Sequence, residues 1–355
     1  MSPNYQDFRK KFTNEITNSK RILITSHFNP DDDSISSVLG MYAYLKEFEP
    51  NKEVDIFYSG EFQKRWSYFE NFSAIQNKED ISEIIEDYDT IIFVDGSQFH
   101  RFSNEVEKFK KSSVKKICID HHASIVDNFD LSIIDSARTS CSEMIYKIFY
   151  SDQTKINPRV CEIILLGILG DTGTFKFVKS SQSEVFPIVQ KLISDGNIDI
   201  QLLKSKYEGY PIEVFELAKK VISNAKVYKI PNVPDCIVTF IDFKDVKDSG
   251  LTDTLVSEAT HIFASYFSTS IKNIGWSMIF YPQNESRIKV SMRSLPGSTN
   301  VRVLGENLAK KYDGQGGGHD RAGGFVFLNV SPKDGIQKYI DLVIEFIKGN
   351  GVEMS

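Results

Sequence analysis

Six side chains with nitrogen or oxygen donors recur in short clusters along the first half of the chain. They are His27, Asp31 and Asp33 in Ser26-His-Phe-Asn-Pro-Asp-Asp-Asp-Ser34, Asp95 in Val94-Asp95, His121 in Asp120-His121-His122, and Asp171 in Gly170-Asp-Thr-Gly173. Only six histidines are present, and His27, His121, His122 and His319 all stand in such clusters. The donor set has four carboxylates, two imidazoles and no sulfur, which suits manganese better than zinc. Four carboxylates in one cleft would repel one another. Two divalent ions roughly 3.5–4 Å apart would neutralise them and clamp the attacking and leaving oxygens of an in-line displacement at phosphorus. Each cluster also has a plainer reading. Asp31 to Asp33 can cap a helix, Asp95 can turn the chain at a strand end, a lone His121 or His122 can be a satisfied core residue, and the glycines around Asp171 can be a helix C-cap. Four such sites on successive elements shift the balance towards a two-metal phosphohydrolase.

The elements that must position these residues follow from the apolar pattern. Short β-branched runs at Arg21–Ser26, Glu53–Tyr58, Thr90–Asp95, Lys116–Asp120 and Leu131–Asp135 alternate with longer amphipathic stretches, the pattern of parallel strands joined by crossover helices. Between the first two, Ile35, Val38, Leu39, Tyr42 and Leu45 make one apolar helical face over Asp33–Phe48. His27, Asp95 and Asp120–His122 then lie at the carboxyl ends of strands, where open α/β sheets collect ligands. Helical patterns at Cys141–Tyr150, Pro158–Leu169 and Ser183–Ser194 close a first domain of residues 1–195. A helical linker is expected over 196–224 and a second domain over 225–355. That domain offers strands at Ala225–Ile230, Cys236–Ile241, Gly275–Tyr281, Arg287–Arg293 and Gly324–Asn329, helices at Thr252–Phe267, Val301–Lys311 and Pro332–Ile347, and a glycine-rich turn at Gly314–Gly318. The fold class is α/β: a doubly wound, mainly parallel N-terminal sheet and a smaller C-terminal α+β domain, with a cleft between them.

Composition narrows the function classes. The 355 residues, 41% hydrophobic and 25% charged, exclude a disordered, collagenous or coiled-coil chain. A formal charge of -6 from 48 acidic and 42 basic residues lacks the footprint of a protein that tracks long nucleic acid. The four cysteines form no CxxC pair and no disulfide framework. Neither a signal peptide nor an apolar run of membrane-spanning length is present, so a cytoplasmic protein with no membrane partner is expected. The stretch from Ile271 to Arg321 holds eight basic residues against four acidic, a local excess of positive charge in an acidic chain.

The order His-x-Asn-Pro-Asp-x-Asp, then Val-Asp with Arg101 six residues later, then Asp-His-His, then Gly-Asp-Thr-Gly resembles the DHH phosphoesterase superfamily. Val290-Ser-Met-Arg-Ser294 and Gly314-Gln-Gly-Gly-Gly-His-Asp-Arg-Ala-Gly-Gly-Phe325 resemble its first type of associated substrate-binding domain, found in nanoRNases, 3'-phosphoadenosine 5'-phosphate (pAp) phosphatases and cyclic-di-AMP phosphodiesterases. The resemblance implies that His27, Asp31 and Asp95 hold one manganese, that Asp33, Asp95, His121 and Asp171 hold a second, and that Asp95 bridges them. Magnesium or cobalt are the expected substitutes. His122 would face the scissile phosphate, with Asp120 orienting a neighbouring histidine. Arg101, Arg293, Ser294, Gly316, Gly317, Gly318 and His319 would bind substrate phosphate, although a flexible glycine turn and a surface arginine are the plain reading of the last group. Two residues depart from the family: Asp32 stands where glycine is usual, and Asp-Arg-Ala-Gly-Gly follows the histidine where a second alanine is commoner.

The expected activity is a manganese-dependent phosphodiesterase cleaving cyclic di-AMP, linear pApA or nanoRNA to mononucleotides. A pAp phosphatase is the alternative; an inorganic pyrophosphatase or a non-catalytic nucleotide sensor ranks lower. Partners are short nucleotides, with a homodimer left open.

Overall fold

The computed structural model describes residues 3–28, 30–60, 66–122, 126–207 and 209–352. In chain order the elements of the first unit are α1 (Tyr5–Ile16), β1 (Arg21–Thr25), α2 (Asp32–Phe48), β2 (Glu53–Ser59), β3 (Ile75–Lys78), β4 (Thr90–Val94), α3 (Val106–Lys111), β5 (Lys115–Asp120), β6 (Leu131–Ile134), α4 (Cys141–Ile145), α5 (Pro158–Asp171), α6 (Val185–Gly196) and α7 (Ile200–Tyr207). The second unit holds α8 (Ile212–Ser223), β7 (Lys226–Tyr228), β8 (Cys236–Phe240), α9 (Phe243–Ser249), α10 (Asp253–Tyr266), β9 (Trp276–Asn284), β10 (Arg287–Ser294), α11 (Val301–Tyr312), β11 (Gln315–His319), β12 (Ala322–Leu328) and α12 (Ile336–Asn350). The two compact units are Met1–Gly209 and Tyr210–Ser355.

The first sheet has the order β3-β2-β1-β4-β5-β6, and every pairing in it is parallel. Its central strands read as continuous apolar runs because both faces are covered. Ile22, Ile24, Ile92, Val94, Ile117 and Ile119 pack beneath α1, α2, α4, α5 and α6. Leu23, Ile91 and Phe93 face a second cluster with Phe99, Phe102 and Phe109. The chain steps outward from β1 to β2 and β3, then returns to place β4 on the other side of β1. The carboxyl ends of β1 and β4 therefore bracket the point where the winding reverses, the place such sheets bind ligands.

Several elements differ from expectation. The edge strand β3 is short and polar, so neither alternation nor β-branching announced it. The helix expected over Cys141–Tyr150 is α-helical only to Ile145 and continues as a π turn over Tyr146–Tyr150. The 196–224 stretch divides at Gly209: Leu203 packs into the first unit's core, whereas Val214, Leu217, Ala218 and Val221 of α8 pack into the second unit's core.

The second sheet is mixed, in the order β11-β12-β10-β9-β8-β7, with β8 and β9 parallel and the other pairs antiparallel. One face packs Val290, Met292, Phe325 and Phe327 beneath α11 and α12. The other packs Ile237, Ile279 and Tyr281 against α8 and α10. The expected glycine-rich turn is instead strand β11, paired residue for residue with β12 from Gln315↔Val326 to His319↔Ala322. Glycine has low strand propensity, so this pairing is imposed by the neighbouring strand.

Among the described residues no helix is long and apolar enough to cross a membrane. Cys118, Cys141, Cys161 and Cys236 are buried free thiols.

Candidate metal centre

His27 follows β1 in sequence and Asp95 follows β4, which brings them together at the reversal point of the first sheet. Asp95 has φ 57°, a left-handed conformation that Asp tolerates better than most residues. Its amide donates to the Ile119 carbonyl, so the turn is tied to β5. Asp120 ends β5 and is fully buried; its Oδ1 accepts both the His122 amide and His122 Nδ1, at 3.1 and 2.8 Å. Asp31 caps α2 by accepting the Ser34 amide at 2.9 Å, so the capping reading holds. Its other oxygen still lies 3.9 Å from His27 Nε2.

These donors converge on Asp95. One carboxylate oxygen, Oδ2, lies 3.1 Å from His27 Nε2, while the other, Oδ1, lies 3.5 Å from His121 Nε2 and 3.6 Å from His122 Nδ1. His121 Nε2 is also 3.0 Å from Asp171 Oδ2 and 3.8 Å from Asp33 Oδ2. Three donor triads result: His27, Asp31 and Asp95; Asp33, His121 and Asp171; and Asp95, His121 and His122. His27 Nδ1 faces the Phe28 carbonyl at 2.7 Å, so Nδ1 donates to that carbonyl and Nε2 is the nitrogen turned toward the carboxylates. The Phe28 amide donates to the backbone carbonyl of Arg101, in the turn after β4, and the Arg101 cation is near enough to oppose protonation of His27.

The electrostatics leave a deficit of positive charge. Burial disfavours the imidazolium of His27, yet Asp95 and Asp31 outweigh it and push His27 up to about 9. Burial also opposes ionisation of Asp95, and His121 and His27 reverse this, holding it well below the usual carboxylate range. Asp33 and Asp171 go the other way, raised chiefly by burial and further by neighbouring carboxylates. Asp95 Oδ1 is buried without a hydrogen-bond partner among the described residues, and His121 Nε2, though close to carboxylates, makes no well-aligned hydrogen bond to them. Orphaned donor and acceptor atoms beside carboxylates that resist ionisation are what a divalent cation would satisfy. The residues present fit such an ion.

Close helix packing holds the cluster. Asp33 is fully buried, and its two oxygens accept the Cys141 and Ser142 amides at the start of α4, at 2.6 and 2.8 Å. A Cβ on Gly167 of α5 would come within 2.1 Å of Ser142 Oγ and 2.9 Å of Asp33 Oδ1. A Cβ on Gly170 would come within 2.6 Å of the Asp32 Cβ. These glycines let α5 press against the start of α2, which sets Asp171 beside His121. Asp171 is the last residue of α5, and Gly170 acts by close approach inside the helix rather than as its cap. Asp32, the residue unusual for the family, has a local role. Its Oδ1 accepts the indole Nε1 of buried Trp66 at 2.7 Å. The departure was visible in the sequence, but its partner sits in a stretch without a motif.

The remaining expected residues lie in the second unit. Arg293 and Ser294 end β10, and Gly316, Gly317, Gly318 and His319 belong to β11. Arg293 is half-buried, donates to the Met292 carbonyl, and is lowered by burial.

Residues 21–168 match the DHH family, N-terminal domain, and residues 252–349 match the DHHA1 domain. The first match takes in every donor of the cluster except Asp171, which lies just beyond it. The probable bifunctional oligoribonuclease and PAP phosphatase NrnA of Streptococcus mutans is 27% identical over 85% of this chain and 88% of its own. The cyclic-di-AMP phosphodiesterase GdpP of Bacillus subtilis is 22% identical over 94% of this chain but only 49% of its own. An exopolyphosphatase-related protein of Bacteroides fragilis shares the fold with a TM-score of 0.80 and 26% identity, covering 97% of each chain. The two domain matches fall one in each compact unit and together span most of the sequence, so the chain belongs to the DHH phosphoesterases, a DHH domain followed by a DHHA1 domain, and is a hydrolase of phosphoric esters.

Proposed function

We propose that the chain is a manganese-dependent phosphodiesterase that hydrolyses short linear nucleotides, pApA and nanoRNA, to mononucleotides, and that also takes pAp. The observation that carries this reading is the placement of Asp95 with one oxygen toward His27 and the other toward His121. His27, Asp31 and Asp95 would hold one divalent ion and Asp33, Asp95, His121 and Asp171 a second. When bound, the ions supply Lewis acidity at a phosphoryl oxygen and hydroxide near neutral pH.

The chain's own residues do the rest. Asp95 keeps its negative charge through its imidazole neighbours and so remains available to both donor groups. Asp120 fixes His122 through Nδ1, leaving the ring oriented to donate a proton or hydrogen bond to phosphate through its other nitrogen. Arg101 contributes a cation at the same sheet end. In the DHHA1 domain, Arg293, Ser294, His319 and the β11 amides of Gly316, Gly317 and Gly318 would take a substrate phosphate by charge-assisted hydrogen bonds.

Two findings support the linear-substrate and pAp reading: the near-complete mutual coverage with the NrnA relative, and a donor set missing no expected ligand. Likeness to GdpP over nearly the whole of this chain supports a second reading, opening of cyclic di-AMP. The test is a product assay with manganese and, in parallel, cyclic di-AMP, pApA, an RNA pentamer, pAp and pyrophosphate, with Asp95→Ala as control. Consumption of pApA, the pentamer or pAp upholds the proposal. Turnover of cyclic di-AMP alone selects the second reading. Pyrophosphate turnover alone, or binding without turnover, overturns both.

A further inference from the structure

A second group of largely buried charges lies at the carboxyl end of β6 and contributes no atom to the donor cluster. Asp135 follows that strand, and Arg138 comes three residues later with its side chain only 10% exposed. Arg138 Nη1 lies 3.1 Å from Glu143 Oε1 and 2.8 Å from Glu184 Oε2, and Nε lies 3.3 Å from Asp135 Oδ2. One guanidinium thus serves three carboxylates, which its planar fork of donors allows and a lysine ammonium does not match. Asp135 also accepts the Tyr5 hydroxyl from α1.

Two of these partners lead back to the metal donors. Ser140-Cys-Ser-Glu143 has the residue types that start a helix, and Ser140 caps α4 by accepting the Glu143 amide at 3.0 Å. Glu143 is buried; its Oε2 accepts the Thr139 amide and hydroxyl at 2.7 and 2.8 Å, while Oε1 accepts from Arg138. These bonds fix the chain immediately before the Cys141 and Ser142 amides, which hold the two oxygens of Asp33. Glu184 opens α6 at the far end of the segment that follows Asp171, and Gln182 of that segment donates to the Arg138 carbonyl at 3.3 Å. Arg138 therefore ties the support of Asp33 to the stretch that leaves Asp171. Those are the two carboxylates of the donor triad completed by His121. The His27, Asp31 and Asp95 triad has other supports, the ends of β1 and β4 and the first turn of α2.

We infer that Arg138 and Glu143 are positioning residues for the Asp33, His121 and Asp171 donors and set the affinity of that metal site separately from the other, although neither is a donor itself. The inference rests on the two-ion reading of the cluster. Loss of either charge leaves buried partners unpaired, loosens the start of α4 and lets Asp33 turn from the place where it faces His121. A contribution to stability alone would lower Tm and leave the ratio of the two affinities as it was.

The test is manganese titration of the full chain followed by electron paramagnetic resonance, which counts free ion, with amide exchange over residues 139–145 measured in metal-free protein. Wild type should take up two ions. Glu143→Gln has one acceptor oxygen where Arg138 and Thr139 need two, and Arg138→Lys cannot reach three carboxylates at once. Each should weaken one ion by about tenfold and the other by less than about threefold, and each should speed exchange at Cys141 and Ser142. Asp33→Asn should weaken the same ion, and adding Glu143→Gln to it should weaken that ion no further, because both act through one group. Glu184→Gln, altered at the exposed end of the network, should fold as wild type and weaken the same ion by about twofold to threefold; it carries the test where the buried variants do not fold. Equal weakening of both ions, a lower Tm with both affinities unchanged, or additive loss in the double variant overturns the inference. Uptake of fewer than two ions by wild type refutes the two-ion reading instead, and exchange then decides the positioning by itself: faster exchange in Glu143→Gln keeps it, and unchanged exchange overturns it.

Discussion

The donor cluster of the DHH domain and the cationic face of the DHHA1 domain would serve one anionic substrate in the proposed reading, but they are built in opposite ways. In the first, every charged group except the exposed Asp31 is buried or partly buried, each contacts at least one other, and helices α2, α4 and α5 close on it with glycines at the contacts. In the second, the charges stand two or four residues apart on an open strand. Reaction at phosphorus requires donor atoms fixed to tenths of an ångström, which only packed walls supply. Holding a flexible polyanion requires regular charge spacing and access, which one strand supplies at its own period. Substitutions in the first region should therefore act on every substrate, and those in the second should sort substrates by their phosphates.

The largest expected effect tests the first half of that contrast. Asp95→Ala should lower turnover of every substrate by about three orders of magnitude or more; residual activity within about tenfold of wild type on any one of them would disprove the shared role of Asp95. Arg293→Ala should raise KM by about 10- to 100-fold for substrates with a phosphate beyond the scissile one, at nearly constant kcat, since one charged hydrogen-bond donor is lost. A matching fall in kcat would place Arg293 with the reacting atoms instead. Gly167→Ala should cost about 1–3 kcal/mol of stability through overpacking against Ser142 and Asp33 and weaken metal binding, readable by thermal melts with and without manganese. A melt unchanged in both conditions would show that α5 has room the structure does not display. Smallest of all, Asp32→Gly removes the acceptor of the Trp66 indole; it should cost about 1 kcal/mol, and it should abolish any change in indole fluorescence on metal addition while Asp32→Asn keeps it. An unaltered metal-dependent signal in Asp32→Gly would uncouple that pair from the cluster.

Much of the donor cluster was legible because its members sit where simple patterns end. A β-branched run stops at Val94 and Asp95 follows; another stops at Asp120 and the two histidines follow. Asp171 was legible as chemistry but not as geometry, since the glycine before it reads equally as a turn former and as a packing surface. Strand β11 was misread as a turn because its residues carry no strand signal of their own. The excess of basic residues in the second domain was countable in the sequence, yet which neighbours Arg287, Lys289 and Arg293 face depended on the register of β10 against β12.

The sequence by itself determined the donor types, their order, the alternation of strand and helix in the DHH domain, and the balance of charge in each part. These are local properties, written in residue chemistry and in periods of two and 3.6. Only the tertiary structure decided which oxygen of Asp95 faces which imidazole, that Asp33 is held by the first amides of α4, that Asp32 holds Trp66, and that the cations of β10 share an uncovered face. Each of these depends on contacts between segments far apart in the chain, and no local period encodes the distance at which two such segments come to rest.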